Sequence, residues 1–400
     1  MEYKTEVDPR RVAQDLVELL RLETDIAYSK CRSSVISLVA MLKDDLNIAQ
    51  LQPVFDYLNQ EDLLDVDGCV DAQRLSSCLK AINGFKEDSQ QRSWSLYEDE
   101  QTIVDRLNEL SSLVRFSDSR VPIHVFADND YRSSFDLVEF YQMETRLTVK
   151  LALVDALLVL CRIDRKFVDI QLQTGLAVYV VGDIAANESE LGSKCVQLLT
   201  LLFCTGHAPP IGHYDALNDG FVQRILEAIN DASTSEKFAE LCMNFLLSFN
   251  LHFIENNESL VIKALLQSNV TSAFIQRFLL LANREEDPVW PFAGEPPYAS
   301  SVLKMLRDLL ATAQLGDRLF YSNDVSVLVN ILLRELADCS PGKRRITVLQ
   351  AVREMTCNTS LAAGRVDDFS EVVGSIRDSE DSLDEEKSLA AEIVDKLASK

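Results

Sequence analysis

The chain has 400 residues, 47% of them apolar, with 13 Gly, 10 Pro and a formal net charge of -24. That length and apolar share can bury a large core, while the scarcity of Gly and Pro argues against a turn-rich all-β architecture. The charge excludes a nucleic-acid binder, which needs a basic face to displace counterions, and disfavours anionic lipid; a basic protein surface is the natural complement.

In chain order, the N-terminal stretch Met1 to Arg11 is charged and lacks the apolar run of a signal peptide. No stretch reaches transmembrane length, so no membrane insertion and a cytoplasmic location are expected. The first 140 residues read as helical but polar, with Gly84 to Ser95 as a flexible link. From Arg146, Leu147, Leu151, Val154, Leu157, Leu158 and Cys161 recur at helical steps and mark one face of a long helix. The run Val196 to Phe203 is apolar nearly all round and predicts a helix buried mid-stack. Further helical faces follow at Phe221 to Ile229, Phe238 to Phe249, Leu260 to Leu265, Phe274 to Leu281, Val302 to Leu310 and Val325 to Leu336. A capping box is readable at Ser233 to Glu236, Asn323-Asp324 can cap a later helix, and Ser340-Pro341-Gly342 breaks the chain after it. Val178 to Val181 is the one β-like run. Ten- to fifteen-residue helices pairing every forty or so residues fit an all-α, armadillo/HEAT-like helical solenoid. After Asp367 the acidic residues predict a solvated, partly disordered segment leading to a last helix near Leu389 to Leu397.

Catalytic and metal chemistry leave no trace. The nine cysteines contain no Cys-x-x-Cys pair, and most lie in Leu-rich stretches, as buried thiols of a reducing compartment do. Sequons at Asn187, Asn257, Asn269 and Asn358 weigh little against that. The histidines His124, His207, His213 and His252 form no metal motif, and neither a nucleophile elbow nor a phosphate-cradling loop occurs. The expectation is a protein-binding scaffold with no cofactor and no metal, not an enzyme.

Two segments stand out as contact candidates. Asn283 to Tyr298 holds four of the ten prolines together with Asp287, Trp290 and Phe292, and long loops with aromatic residues are frequent binding surfaces. The other reading is that both rings cap the core. Lys343-Arg344-Arg345 is the densest basic cluster, set at a helix start where the macrodipole disfavours cations. It serves either an acidic partner or a salt bridge to a neighbouring helix.

The stretch from Phe274 to Thr359 resembles a known family. Its features are Phe278 to Arg284, Asp287-Pro288-Val289, Glu295-Pro296-Pro297, Ser300 to Asp308, Phe320 to Asp324 and Ala337 to Gly342. In that order they look like the C-terminal armadillo domain of the WISH/DIP/SPIN proteins, NCK-interacting protein with SH3 domain and its fungal relatives. The resemblance implies an activator of the Arp2/3 complex, and of actin through it, that nucleates linear filaments without WASP or a preformed filament. It also implies a place at the actin cortex and in endocytic patches. The chain departs from the vertebrate pattern in having no Src-homology-3 domain and no proline-rich N-terminal segment. The alternative is a passive armadillo adaptor for a partner peptide or helix. The expected domains are a helical region 1–140, an armadillo-like domain 141–366 and an acidic segment 367–400. The expected contacts are Asp287, Trp290, Phe292, Lys304, Arg307, Lys343, Arg344 and Arg345.

Overall fold

A computed structural model describes residues 8–60, 63–88, 99–128, 130–184, 188–268, 272–284, 287–359, 361 and 365–398. Among these residues the fold is all helix, without a strand, in two compact units, Met1–Phe167 and Val168–Lys400.

The first unit contains α1 (Pro9–Thr24), α2 (Tyr28–Asp45), α3 (Gln52–Leu58), α4 (Val70–Glu87), α5 (Glu100–Phe116), α6 (Arg120–Ala127), α7 (Arg132–Met143) and α8 (Leu147–Ile163). Helix α1 starts where Asp8 accepts from the Arg10 N–H at 3.0 Å and Pro9 presets the first turn. Two buried cations fasten the elements together. Arg21 of α1 meets Asp71 of α4 at 3.1 Å, and Lys86 of α4 meets Asp136 and Glu139 of α7 at 2.5 and 2.8 Å.

Helix α9 (Arg165–Leu172) leads into the second unit. There follow α10 (Leu176–Asp183), α11 (Glu190–Phe203), α12 (Asp219–Asn230), α13 (Glu236–Asn250), α14 (Leu260–Gln267), α15 (Ser272–Ala282), α16 (Ser301–Ala311) and α17 (Ala313–Leu319). The last four are α18 (Ser322–Asp338), α19 (Lys343–Asn358), α20 (Val366–Asp378) and α21 (Asp384–Ala398). One device starts five of these helices. The side chains of Ser189, Asn218, Ser235, Ser259 and Ser300 each accept from the N–H three residues on, a cap worth about 1 kcal/mol apiece.

The armadillo-like stacking shows in hydrogen bonds that join corresponding places of successive repeats. Ser235 reaches Glu188 across 47 residues, Ser248 reaches Thr200 across 48, and Arg334 reaches Asn283 across 51. Phe203, Phe221, Phe245 and Phe249 fill the centre, with Phe203 edge-on to Phe249 at 4.9 Å. Offset and edge-on packing of this kind adds to what area burial alone gives.

Several expectations need correction. The Val178 to Val181 run is helical, within α10, because β-branched residues are tolerated where packing decides. Gly84 lies inside α4, which continues to Glu87, so no link begins there; 89–95 fall outside the described residues. Ser235 caps α13, with Ser233 bonded to Asp231 instead. Leu147 is 59% exposed, whereas Val149, Leu153, Val154 and Leu157 bury α8.

The described part of the acidic segment, through residue 398, is mainly helical rather than partly disordered. Phe369, Val373 and Ile376 at helical spacing bury one side of α20, and α21 packs on both α19 and α20. The chain divides into its compact units at Phe167/Val168, with α8 packed on α5 inside the first.

Candidate partner-binding surface

The loop from Asn283 to Tyr298 is folded against its own flanks. Asp287 accepts from the N–H of Val289 at 2.9 Å, and from the N–H and Oγ of Ser301 at 2.5 and 2.9 Å. That pins the loop to the first turn of α16. Trp290 donates from Nε1 to the Gly294 carbonyl at 3.0 Å and lies edge-on to Phe292 at 5.0 Å and to Tyr298 at 6.1 Å. Gly294 sits at φ +89°, which a side chain would strain. Trp290 and Phe292 are half-buried, so they cap the loop while leaving one edge outward. Glu285 and Glu286 fall outside the described residues.

Lys304 and Arg307 face inward to a shared carboxylate. Asp308, 2% exposed, accepts from Lys304 at 2.6 Å, from Asn250 Nδ2 at 2.7 Å and from Arg307 at 3.0 Å. Lys304 donates again to the Asn250 carbonyl at 2.6 Å, and Asn250 Oδ1 accepts from the α14 cap Ser259. Burial pulls the Lys304 ammonium below the ordinary lysine range, and Asp308 offsets part of that. The cluster joins α13, α14 and α16. Arg307 keeps 29% of its side chain exposed and reaches Gln350 of α19 at 3.3 Å.

The basic cluster is divided in its roles. Arg344 pairs with Glu335 of α18 at 2.8 Å, and that carboxylate holds its guanidinium pKa up. Arg345 donates to the Cys339 carbonyl and stands 3.8 Å from Glu386, which is fully buried in α21. Lys343 is exposed. Among the eight predicted contacts, then, Asp287, Lys304, Arg307, Arg344 and Arg345 satisfy internal partners, Trp290 and Phe292 are half-buried within their own loop, and Lys343 is exposed.

A surface that the sequence reading missed lies between α15 and α18. Gln276, Leu279 and Leu280 of α15 and Asn283 just past its end face Val327, Asn330, Ile331 and Arg334 of α18, each set at i, i+3, i+4, i+7. They line an open, largely apolar groove of about 610 Å³. Leu280 is 63% and Val327 47% exposed, and the Arg334 guanidinium closes one end on Asn283 at 2.9 Å. The signal was present in the sequence: Phe278 to Leu281 is four apolar residues in a row, more than one buried helix face needs.

Among the described residues no group of three or more His, Cys, Asp or Glu is arranged to hold a metal, and no helix is long and apolar enough to cross a membrane. Among the described residues no disulfide joins the cysteines; Cys357 is exposed and Cys339 half-buried.

Comparisons with known proteins fall on this same part of the chain. Residues 235–366 match the family model for the leucine-rich domain of SPIN90/Ldb17. The chain is similar to Protein LDB17 of Saccharomyces cerevisiae, 24% identical over 211 residues, which cover 50% of this chain and 39% of that one. The chain thus spans well under two thirds of that relative's length.

Among solved structures, an engineered protein aligns over 98% of this chain and 97% of its own at 12% identity and a TM-score of 0.48. A designed armadillo repeat protein aligns over 65% and 98% at 10% identity and a TM-score of 0.38. Both likenesses are too distant to carry function. The family model covers α13 to α19, the helices that build the groove, the aromatic loop and the Asp308 cluster, and that match together with Protein LDB17 supports the SPIN90/Ldb17 family for this part of the chain.

Proposed function

We propose that this chain binds the Arp2/3 complex and activates it to nucleate linear, unbranched actin filaments, with no need of WASP or a preformed filament. The observation that carries the reading is the leucine-rich domain of residues 235–366. The chain acts by binding, not catalysis, and works in the cytoplasm at the actin cortex and endocytic patches. The groove of α15 and α18 supports it as the contact surface, with the exposed Lys343 and the half-buried Trp290, Phe292 and Arg307 as further candidate contacts.

A ligand shifts an equilibrium only by its differential affinity for the two states. Moving Arp2/3 from about 1% to about 99% active therefore requires about 5.5 kcal/mol of preference for the arrangement in which its actin-related subunits mimic a filament end. A surface fixed on packed helices suits this, because little of its contact energy goes into ordering side chains.

The test is retention of purified Arp2/3 on the immobilised chain, wild type against Leu280→Asp. Strong retention by the wild type and loss by the variant is the expected result; equal retention by both would remove the groove, and no retention by either would remove Arp2/3. A second reading, a passive adaptor that lodges a partner helix or peptide, draws on the groove's apolar lining. It is distinguished by Arp2/3 retention without any acceleration of actin assembly.

A further inference from the structure

We infer that Ser340 is a phosphorylation site for a proline-directed Ser/Thr kinase, placed where a phosphate would contest the ion pairs that hold the end of the second unit together. Of the ten prolines, only Pro341 follows a serine or threonine, and the residue two beyond it is Lys343. The four residues Ser340-Pro341-Gly342-Lys343 thus offer the hydroxyl, the proline and the downstream cation that such kinases read.

The structure presents this segment outward. It is the short connector between α18 and α19, and Ser340, Pro341 and Lys343 are all exposed. Pro341 biases Ser340 to extended backbone, the conformation a kinase cleft accepts. Gly342 follows at φ +149°, in the region that favours glycine, so the chain turns into α19 directly after the acceptor.

The surroundings say what a phosphate would do. Glu386 of α21 accepts from the Gly342 N–H at 2.9 Å and from the Leu383 N–H at 3.0 Å, and so clips the last helix to this connector. Arg345 stands near the same carboxylate, and Arg344 is held by Glu335. Transfer moves the γ-phosphoryl group of ATP to Ser340 Oγ. The Oγ–P bond forms as the bond to the β,γ-bridging oxygen breaks, ADP leaves and the hydroxyl proton passes to the kinase's base. The product carries nearly two negative charges and three strong acceptor oxygens two residues from Gly342. It attracts Lys343, draws Arg344 away from Glu335, and repels the Glu386 carboxylate, which weakens the clip on α21.

The experiment incubates the full chain with a cyclin-dependent-type kinase and labelled ATP, then maps the label by mass spectrometry and follows amide hydrogen exchange. Expected are up to one phosphate per chain at Ser340, incorporation at least tenfold lower in Ser340→Ala, and exchange several-fold faster in residues 383–398 of the phosphorylated chain. Incorporation that Ser340→Ala leaves unchanged, or none while a control peptide is labelled, would overturn the site. Unchanged exchange in 383–398 at full phosphorylation would overturn its coupling to α21.

Discussion

Replacing Asp308 with alanine tests the packing of the leucine-rich domain at its most loaded point. The carboxylate is buried, and its loss leaves Lys304, whose side chain is 14% exposed, with the Asn250 carbonyl as its remaining acceptor. Asn250 Nδ2 loses its acceptor as well. Breaking a buried pair from one side costs about 3–5 kcal/mol, and Lys304 can recover part by shedding its proton, so about 3 kcal/mol is the working figure. For a unit of this size each kcal/mol moves the midpoint by about 2–4 °C, which gives a drop of about 6–12 °C.

The sign with pH follows from the lysine. Its folded pKa lies below the unfolded value, and without Asp308 it falls further, so the unfolded chain binds more protons in that window. The deficit of Asp308→Ala should therefore shrink as pH rises towards about 10, the ordinary lysine range. Circular dichroism melts of wild type and variant at pH 7 and pH 9.5 measure both effects. A drop under about 2 °C at pH 7 would refute the reasoning, because no buried pair would then have been broken.

Other predictions concern separate places. His252 packs among Phe203, Phe249 and Phe253, bonds Tyr214 at 2.8 Å, and is held down to about 4 by burial and then by the Lys304 charge. Its neutral form favours folding above about 6.5, and that contribution, about 3 kcal/mol, is lost as pH falls through about 4. Urea unfolding of His252→Gln should lack this acid slope. Trp290→Ala removes two edge-on ring contacts and one hydrogen bond, about 2 kcal/mol locally, and should speed hydrogen exchange in residues 287–299. Leu280→Asp, at an exposed position, should change stability by under about 0.5 kcal/mol while weakening Arp2/3 about 30-fold or more, read by sedimentation with the complex.

The helices of the second unit were legible because their apolar residues keep a 3.6-residue period. Helix α20 was not, since Phe369, Val373 and Ile376 are outnumbered by acidic neighbours and composition outweighed periodicity. The basic cluster shows the same limit. Sequence places Arg344 and Arg345 at a helix start, but only folding brings Glu335 and Glu386 from two other helices to them. Lys304 and Arg307 read as surface cations for the like reason: their partner Asp308 is a neighbour in sequence, whereas its burial is a property of the stack. The groove went unread because it needs α15 and α18 side by side, and periodicity does not report which outward faces meet.

The central claim is activation of Arp2/3, and seedless actin assembly measures it most directly. Fluorescently labelled actin with purified Arp2/3, without WASP, is followed across a titration of this chain, and the filaments are imaged. The account predicts a lag that shortens with dose and filaments without branches. Assembly unchanged at every dose, with the chain folded and a WASP-driven control active, would contradict it and leave a scaffold that binds without activating.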